Sequence, residues 1–324
     1  MPELPEVETV ARLLRPRLVG RRLGAAEVGW RRTLGGLAPG AFATAIEGAR
    51  VRSVERRAKW ILLELSRARA AAGFLCVHLR MTGRLEVARD AEPAGPWERL
   101  RIALDGGGVL RFVDPRKFGR VRFTRRPAEV LGPLGPEPLG PEFTPAWLAA
   151  ALRARRRLLK PLLLDQTFLA GLGNIYVDES LHRAGLHPLA RSERVTEASA
   201  ARLHGAIRAV LAEAIEREGS SFDVFYRTPE GKPGSFQDRF RVYARTGEPC
   251  LACGTPIVYL VVGQRGTHLC PGCQPRPRRA RAAGGNRKGD ARSVRPGRSG
   301  PARAAAGGVV APPVRARRAA ATAR

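Results

Sequence analysis

The segment 131–141 reads LGPLGPEPLGP, and it constrains the fold of this chain more than any other stretch. Its three Gly-Pro steps fit neither a helix interior nor a central strand, because proline lacks a backbone N–H and fixes its own φ. The segment therefore predicts a linker between two separately folded parts. A length of 324 residues is also typical of a chain with two domains.

Ahead of the linker the sequence is rich in short β-type segments. Turn signals such as DGGG at 105–108 separate them, and an even spacing of short strands favours a sandwich or a barrel. The first residues differ, because their apolar positions recur at helical spacing up to Leu18. The predicted strands are 22–30, 49–56, 58–65, 73–79, 84–87, 98–104, 109–113 and 120–123.

After the linker the hydrophobic period becomes that of helices. Thr144 and Pro145 form a helix start, with threonine as the N-cap and proline in the first turn. Two glycines in the turn 170–174 precede another helix, and such a start exposes backbone N–H groups that bind phosphate. This predicts a helix–turn–helix-like hairpin that grips a DNA backbone. The predicted helices are 144–159, 161–168, 175–184 and 196–218.

Four of the five cysteines are spaced as C-x2-C-x16-C-x2-C, which is typical of a structural zinc ribbon. Four thiolates complete a tetrahedral site and leave no open position for catalysis, so one structural Zn²⁺ is the expected cofactor. The metal should hold a β-hairpin whose tip lies at 263–266. The predicted ligands are Cys250, Cys253, Cys270 and Cys273.

A net charge of +28 and a pI of about 11.5 indicate a polyanionic partner, nucleic acid above all, with mere solubility as the alternative. Residues 276–324 hold 14 of the 57 basic residues, so the chain stays basic without this tail, which is expected to be disordered. No apolar run approaches the ~18 residues of a membrane span. The acidic first residues are not a signal peptide, so a cytoplasmic location is expected.

The first residues carry a possible reactive group. A small second residue normally allows the initiator Met1 to be removed, which would leave Pro2 as a free amino terminus beside Glu3. α-Amino groups titrate near 8, so such an amine is a readier nucleophile than an ordinary lysine, and amines attack carbonyl-like carbons to give Schiff bases. A secondary amine gives an iminium that stays cationic, and Glu3 could act as a general acid or base. The alternative is a purely structural helix start.

Taken together, these stretches resemble one family, the bacterial formamidopyrimidine-DNA glycosylases (Fpg/MutM) of the Fpg/Nei superfamily. The resemblance covers residues 1–275 and leaves the tail outside. It rests on PELPEVET at 2–9, RRAK at 56–59, HLRM at 78–81, DPRKFG at 114–119, GLGNIY at 171–176, GKPG at 231–234 and the zinc ribbon.

The resemblance implies a bifunctional DNA glycosylase/AP lyase of base excision repair that excises oxidised purines, such as 8-oxoguanine and formamidopyrimidines. The damaged base would first leave the stack of the duplex. The Pro2 amine would then attack C1′, while Glu3 would donate the proton for ring opening and base loss. Lys59 matches the lysine assigned to β-elimination and a phosphate contact, and Arg265 matches the arginine assigned to δ-elimination and phosphate binding.

The resemblance also implies a set of DNA contacts. Met81, Arg116 and Phe118 match the residues that fill the hole left by the flipped base, in agreement with the use of apolar wedges in place of stacking. Asn174 matches a phosphate-binding asparagine, and Arg155 stands where the family has a DNA-contacting lysine. His78, in the HLRM motif, completes the predicted DNA-binding set.

Some positions depart from the family pattern. Pro96-Trp97-Glu98 occupies the place where many members carry a DNA-contacting histidine, which puts that contact in doubt. Arg80 stands at a position that is often small. The segment that starts with SSF at 220–222 is the expected lesion-recognition loop.

The sequence thus predicts an α+β, multidomain fold. A β-sandwich with an N-terminal helix spans 1–128, a Gly/Pro linker 129–144, a helical domain with a helix-two-turns-helix 145–239, a zinc finger 240–275 and the tail 276–324. The expected partner is damaged double-stranded DNA, bound by a monomer associated with the bacterial nucleoid. Two alternatives stay open: an endonuclease VIII-like glycosylase for oxidised pyrimidines, and a non-catalytic zinc-ribbon DNA-binding protein.

Overall fold

The structure is a computed structural model that describes residues 1–68, 70–89, 93–221 and 226–277. Most of the predicted tail and residues 222–225 of the predicted recognition loop lie outside these ranges. Within them, no helix is both long enough and apolar enough to cross a lipid bilayer. The domain boundaries drawn from the sequence stay predictions.

The chain begins with helix α1, Leu4–Leu18. Pro5 in its first turn is pre-set for a helix, and the Glu6 carboxylate accepts a hydrogen bond of 2.8 Å from the Glu3 amide. The apolar positions predicted for this helix are buried, and they pack mainly against the strands that follow. The expected N-terminal helix is therefore confirmed.

Within the described residues ahead of the linker, eight strands follow helix α1, and each begins and ends within a few residues of its predicted range. They are β1 Leu23–Glu27, β2 Arg50–Arg57, β3 Trp60–Arg67, β4 Ala70–His78, β5 Arg84–Ala88, β6 Glu98–Leu104, β7 Val109–Val113 and β8 Arg120–Thr124. The strands form two four-stranded antiparallel sheets, one with the order β2-β3-β4-β8 and the other with the order β1-β6-β7-β5. A core of apolar side chains that includes α1 is shared by both sheets, so the predicted sandwich is confirmed.

Three short elements in this first part of the chain were not expected from the sequence. They are a 3₁₀ turn at Arg31–Leu34, helix α2 at Pro39–Ile46 and helix α3 at Pro127–Leu131. Both helices start with proline, and Phe42 and Ile46 of α2 are fully buried. Their brevity explains why no helical period is visible in the sequence.

The linker runs along the helical part of the chain. The Gly135 amide donates to the Gln166 carbonyl at 2.8 Å, and the Ala170 amide donates to the Pro136 carbonyl at 3.1 Å. Gly135 also lies directly against the backbone, because a Cβ there would be 2.8 Å from the Leu169 nitrogen. These contacts give the segment a defined path.

The helical part contains α4 Pro145–Arg153, α5 Leu159–Leu163, α6 Asn174–Ala184 and α7 Glu197–Glu216. The hydroxyl of Thr144 accepts from the Trp147 amide at 3.1 Å, so the predicted N-cap is confirmed. Buried residues of these helices form a second apolar core that also receives Leu4.

Two helix predictions are corrected. The helix expected over 144–159 ends at Arg153, because the chain beyond it forms an antiparallel bridge between Leu158 and Arg191. Beside this bridge, the Ser192 amide donates to the Arg157 carbonyl at 2.9 Å. The helix expected over 161–168 is the short α5. It starts before Pro161 and ends at Leu163, and the following turn is held by hydrogen bonds to Asp165.

The last element is a hairpin of β9, Val258–Val262, and β10, Arg265–Leu269. Gly263 and Gln264 form its two-residue turn with φ of 56° and 63°. Two positive φ values are the signature of the type I′ turn, whose twist matches that of the strands. The predicted hairpin tip is confirmed.

We expect Gly135→Ala to lower the free energy of unfolding by about 1–3 kcal/mol, since the new Cβ must displace the backbone at 168–169. The matched control is Gly40→Ala in α2, where nothing lies within 4 Å of the new Cβ. That change should leave stability unchanged or raise it by about 0.4–1 kcal/mol. Urea unfolding of both variants measures the difference, and equal stabilities would contradict the close approach.

Candidate active site and DNA-binding surface

Glu3 lies at the start of α1, where its buried carboxylate is held against the start of α6. The Ile175 amide donates to Glu3 Oε1 at 3.1 Å, which brings the positive end of α6 to the acid. Gly173 leaves the necessary space, because a Cβ there would lie 2.6 Å from Glu3 Oε2. That second oxygen has no hydrogen-bond partner within the described residues.

Burial raises the pKa of Glu3 to about 7, with Lys59 opposing the shift and Glu6 adding to it. The carboxyl group is therefore partly protonated at neutral pH. A carboxyl that titrates near the working pH can donate a proton as a general acid, which an ordinary glutamate cannot do efficiently. The environment of Glu3 thus suits acid catalysis.

Glu6 is a residue whose importance the sequence did not reveal. Its buried carboxylate accepts hydrogen bonds from the Glu3 amide and the Ser220 amide, both at 2.8 Å, and from the Tyr176 hydroxyl. Burial raises the pKa of Glu6 as well. Since Ser220 begins the predicted recognition loop, Glu6 joins that loop to α1 and α6. A small cavity opens beside Pro2 at the same place, next to Tyr226.

Lys59 lies in the turn between β2 and β3 and is buried. Burial lowers the pKa of Lys59, Glu3 and Glu6 oppose this shift, and Arg265 and Arg80 add to it. These groups influence one another because the folding of the chain brings the β2–β3 turn, the chain start and the zinc-hairpin tip together. The predicted catalytic residues therefore converge.

The hairpin is fixed to α6 by buried polar contacts. The Gly266 carbonyl accepts from Asn174 Nδ2 and from Lys160 Nζ, both at 2.9 Å. Lys160 also pairs with Asp178 at 2.6 Å, and neither side chain is exposed. Asp178 Oδ2 in turn accepts from the His268 amide at 2.9 Å. The hairpin tip is consequently held over the start of α6, beside Glu3.

Met81, Arg116 and Phe118 lie on neighbouring loops of the sandwich, with Met81 39% and Phe118 47% exposed. The Arg116 guanidinium lies 5.0 Å from the centre of the Phe118 ring. Asp114 braces both loops, because its carboxylate accepts from the Thr82 hydroxyl and from the Arg116 amide. Apolar side chains presented in this way on a basic protein are suited to insertion between bases.

Trp30 is a second residue missed by the sequence analysis. Lys117, between Arg116 and Phe118, has a φ of 61°, and its Nζ lies 4.3 Å from the centre of the Trp30 ring. A cation held over an indole face is attracted to it, which supports the left-handed turn of this loop. No sequence spacing indicates this pair.

His78 and Arg155 have distinct environments. His78 is buried, its ring packs edge-on against Trp60 at 4.8 Å, and its Nδ1 accepts from the Arg80 amide at 3.0 Å. Burial, Arg80 and Lys59 lower the pKa of His78 to about 3, so the ring is neutral and supports the turn before Met81. Arg155 is exposed. The DNA contacts of His78 and Arg155 stay predictions.

The four predicted metal ligands come together. Their Sγ atoms all lie within 4.8 Å of one another, with Cys253 at 3.4 Å from Cys270 and Cys250 at 3.8 Å from Cys273. A Zn–S bond of about 2.3 Å in a tetrahedron requires sulfurs about 3.8 Å apart. The residues fit a structural Zn²⁺ that would staple the hairpin to the segment before it.

Comparison with known proteins identifies three successive regions. Residues 1–121 match the family model for the formamidopyrimidine-DNA glycosylase N-terminal domain, 134–226 that for the H2TH domain, and 247–276 the zinc finger found in FPG and IleRS. Together with the fold, these matches define a helix-two-turns-helix DNA glycosylase with a zinc finger. The chain belongs to the formamidopyrimidine-DNA glycosylase family, and the resemblance seen in the sequence is confirmed.

Individual members of this family are similar to this chain over most of its length. A formamidopyrimidine-DNA glycosylase of Symbiobacterium thermophilum is 45% identical over 93% of this chain and 95% of its own length. Another, from Chloroflexus aggregans, is 47% identical over 85% of this chain and 98% of its own. The crystal structure of the MutM (Fpg) protein from Thermus thermophilus is 42% identical, with a TM-score of 0.75 over 86% of this chain and the whole of that one.

A further similar structure contains DNA. It is a mutant of the Lactococcus lactis FPG protein in complex with a Fapy-dG containing DNA, and it is 34% identical to this chain. Its TM-score is 0.78 over 85% of this chain and the whole of that one.

We expect Gly173→Ala to reduce base excision by about a hundredfold, because the new Cβ must push the Glu3 carboxylate away from its place. Gly205→Ala in α7 is the matched control, since nothing lies within 4 Å of its Cβ, and it should leave the rate unchanged. Single-turnover excision from a lesion-containing duplex measures both. Equal rates in the two variants would show that the position of Glu3 does not matter.

We expect the purified chain to contain one Zn²⁺ per molecule, measured by elemental analysis. Cys270→Ser should lose the metal and weaken DNA binding by at least about tenfold, because the hairpin that carries Arg265 then loses its staple. Cys76→Ser, in β4, alters a cysteine outside the cluster and should keep the zinc. A zinc-free wild type with full affinity for DNA would contradict this role.

Proposed function

We propose that this chain is a bifunctional DNA glycosylase/AP lyase of base excision repair, which removes oxidised purines from duplex DNA through a Pro2 Schiff base and then cleaves the strand. The observation that carries the proposal is the buried Glu3, whose pKa is raised to about 7, directly beside Pro2. Membership of the formamidopyrimidine-DNA glycosylase family supports it.

In the first step the damaged nucleotide is turned out of the duplex, because C1′ cannot be reached within the stack. The neutral Pro2 nitrogen, exposed once Met1 is removed, attacks C1′ and forms the new C–N bond. The bond between C1′ and the base breaks, and the base departs with the bonding electrons and with the proton that the Pro2 nitrogen loses. Glu3 gives its proton to the ring oxygen as the sugar ring opens. The product is a cationic iminium between Pro2 and the sugar.

In the second step the iminium withdraws electrons from the sugar and acidifies C2′. Loss of a C2′ proton expels the 3′ phosphate in β-elimination, for which Lys59 is the proposed proton donor. A second elimination expels the 5′ phosphate, and Arg265 is its proposed participant. The low polarity around Lys59, which lowers its pKa, makes it a better acid than an exposed lysine.

DNA binding is proposed to use three kinds of contact. Asn174 and Arg265 bind phosphates near the lesion, and Arg155 binds the backbone further away. Met81 and Phe118 fill the hole left by the flipped base, and Arg116 pairs with the orphaned partner base. The L. lactis protein bound to a Fapy-dG containing DNA supports this use of the fold. We further propose a monomer that works at the bacterial chromosome in the cytoplasm.

The nucleophile is tested by borohydride trapping on an abasic duplex, with the free Pro2 terminus verified by mass spectrometry. We expect the wild type to become covalently joined to DNA and Pro2→Gly, still binding DNA, to lose most of this adduct. A wild type that binds the duplex but is not trapped is a non-catalytic DNA-binding protein. Preference for thymine glycol over 8-oxoguanine opposite cytosine would instead indicate an enzyme for oxidised pyrimidines.

The pH dependence of the base-excision rate tests whether Glu3 is the general acid. Base excision needs Glu3 protonated and the Pro2 amine neutral, so the rate should rise from acid pH as the amine loses its proton and fall above neutrality as Glu3 ionises. A maximum between about pH 7 and 8 is expected, since α-amino groups ordinarily titrate near 8. Glu3→Gln should lose excision at every pH. A wild-type rate that still rises at about pH 9 would rule out Glu3 as the acid.

A further inference from the structure

The turn that carries Lys59 contains a residue in an unfavourable backbone conformation. Arg57 of β2 pairs with Trp60 of β3, so Ala58 and Lys59 form a two-residue connection. Ala58 has a φ of 53°, a left-handed conformation that is unfavourable for a residue with a side chain. Contacts that hold Ala58 in this conformation therefore stabilise the turn.

Glu137, in the linker, supplies that support. Its Oε1 accepts from the Ala58 amide at 2.6 Å and from Arg57 Nη1 at 2.7 Å, while its Oε2 accepts from Arg56 Nη1 at 2.7 Å. Arg56 also donates to the Ala58 carbonyl at 3.1 Å. One carboxylate thus holds the turn directly and through both arginines that precede it.

The same linker is fixed to the part of the chain that holds Glu3. Directly before Glu137, the Pro136 carbonyl accepts from the Ala170 amide at 3.1 Å. The carbonyl of the next residue, Gly171, accepts from the Leu4 amide at 3.0 Å. A continuous set of backbone and carboxylate contacts therefore runs from the Lys59 turn to the residue after Glu3.

We propose that Glu137 is a positioning residue, which sets Lys59 of the sandwich against the Glu3 carboxylate. Glu137 touches neither of them and acts through the turn. The consequence for activity rests on the proposed role of Lys59, whereas the position of Lys59 can be measured without reference to catalysis.

The charge of Glu137 suits this role. Burial by itself would raise the pKa of Glu137, but Arg56, the Ala58 amide and Arg57 outweigh it and hold the pKa below the ordinary value. The carboxylate stays ionised at neutral pH and can accept from all three donors. A glutamine could not, because one of its two terminal atoms is itself a donor that would face a guanidinium group.

The position of Lys59 can be measured by NMR in the full chain. The sequence contains five lysines, so protein labelled with ¹³C-lysine gives few Cε–Hε signals, and Lys59→Arg assigns the one from Lys59. We expect Glu137→Ala to raise the measured pKa of Lys59 by about one unit or more, since a displaced turn returns the amine to water. Glu137→Gln should give a smaller rise.

The sign of the shift separates displacement from simple loss of charge. Removal of a nearby carboxylate without movement lowers the pKa of a lysine, because a favourable charge is lost. A Lys59 pKa that falls or stays constant in both Glu137 variants would overturn the proposal. Glu129→Gln, which removes an exposed carboxylate paired with Arg126 at 3.7 Å, is the matched control and should not shift it.

A strand-cleavage assay tests the proposal independently of the NMR measurement. On an abasic duplex, Glu137→Ala should slow strand cleavage by about tenfold to a hundredfold, while borohydride still traps the Pro2 adduct. If Lys59→Ala cleaves at the wild-type rate but the Lys59 pKa still rises in Glu137→Ala, the positioning stands and the proposed role of Lys59 fails. Thermal unfolding of each variant confirms that a folded protein is compared.

Discussion

The burial of the Glu3 carboxylate against the start of α6 is the contact on which the rest of the site depends. A carboxylate removed from water favours its protonated form, and the single amide bond from Ile175 compensates for only part of the lost hydration. The environment keeps one oxygen without a partner among the described residues and raises the pKa of the carboxyl group. It also places Pro2 at the small cavity, because Pro2 directly precedes Glu3.

The remaining elements are arranged around this contact. Glu6 ties the first helix to Tyr176 and to the beginning of the recognition loop, and Glu137 ties the sandwich turn to the linker. The hairpin reaches the same place from the other end of the chain. Each connection joins segments far apart in sequence, which explains how residues from the first, middle and last parts form one site.

The sequence was sufficient for features that depend on local chemistry. The Thr144 N-cap, the cluster of four cysteines and the sandwich were all predicted correctly. Each of these features is encoded by residues that are close together in the sequence. Tertiary partners decided the rest. The chain beyond Arg153 leaves the helix because it forms hydrogen bonds with the segment at Ser192. Trp30 supports Lys117 although the two residues are far apart in the sequence and belong to no periodic pattern.

The buried pair of Lys160 and Asp178, which anchors the hairpin, responds to salt differently from the exposed charges that bind DNA. Dissolved ions weaken attraction between exposed charges and phosphates over about 10 Å at 0.1 M, but they cannot enter a pair that excludes water, such as Lys160 with Asp178. Rising ionic strength therefore loosens the grip on the polyanion before it disturbs the anchor. The protein can therefore release a duplex while the contacts between the hairpin and α6 stay intact.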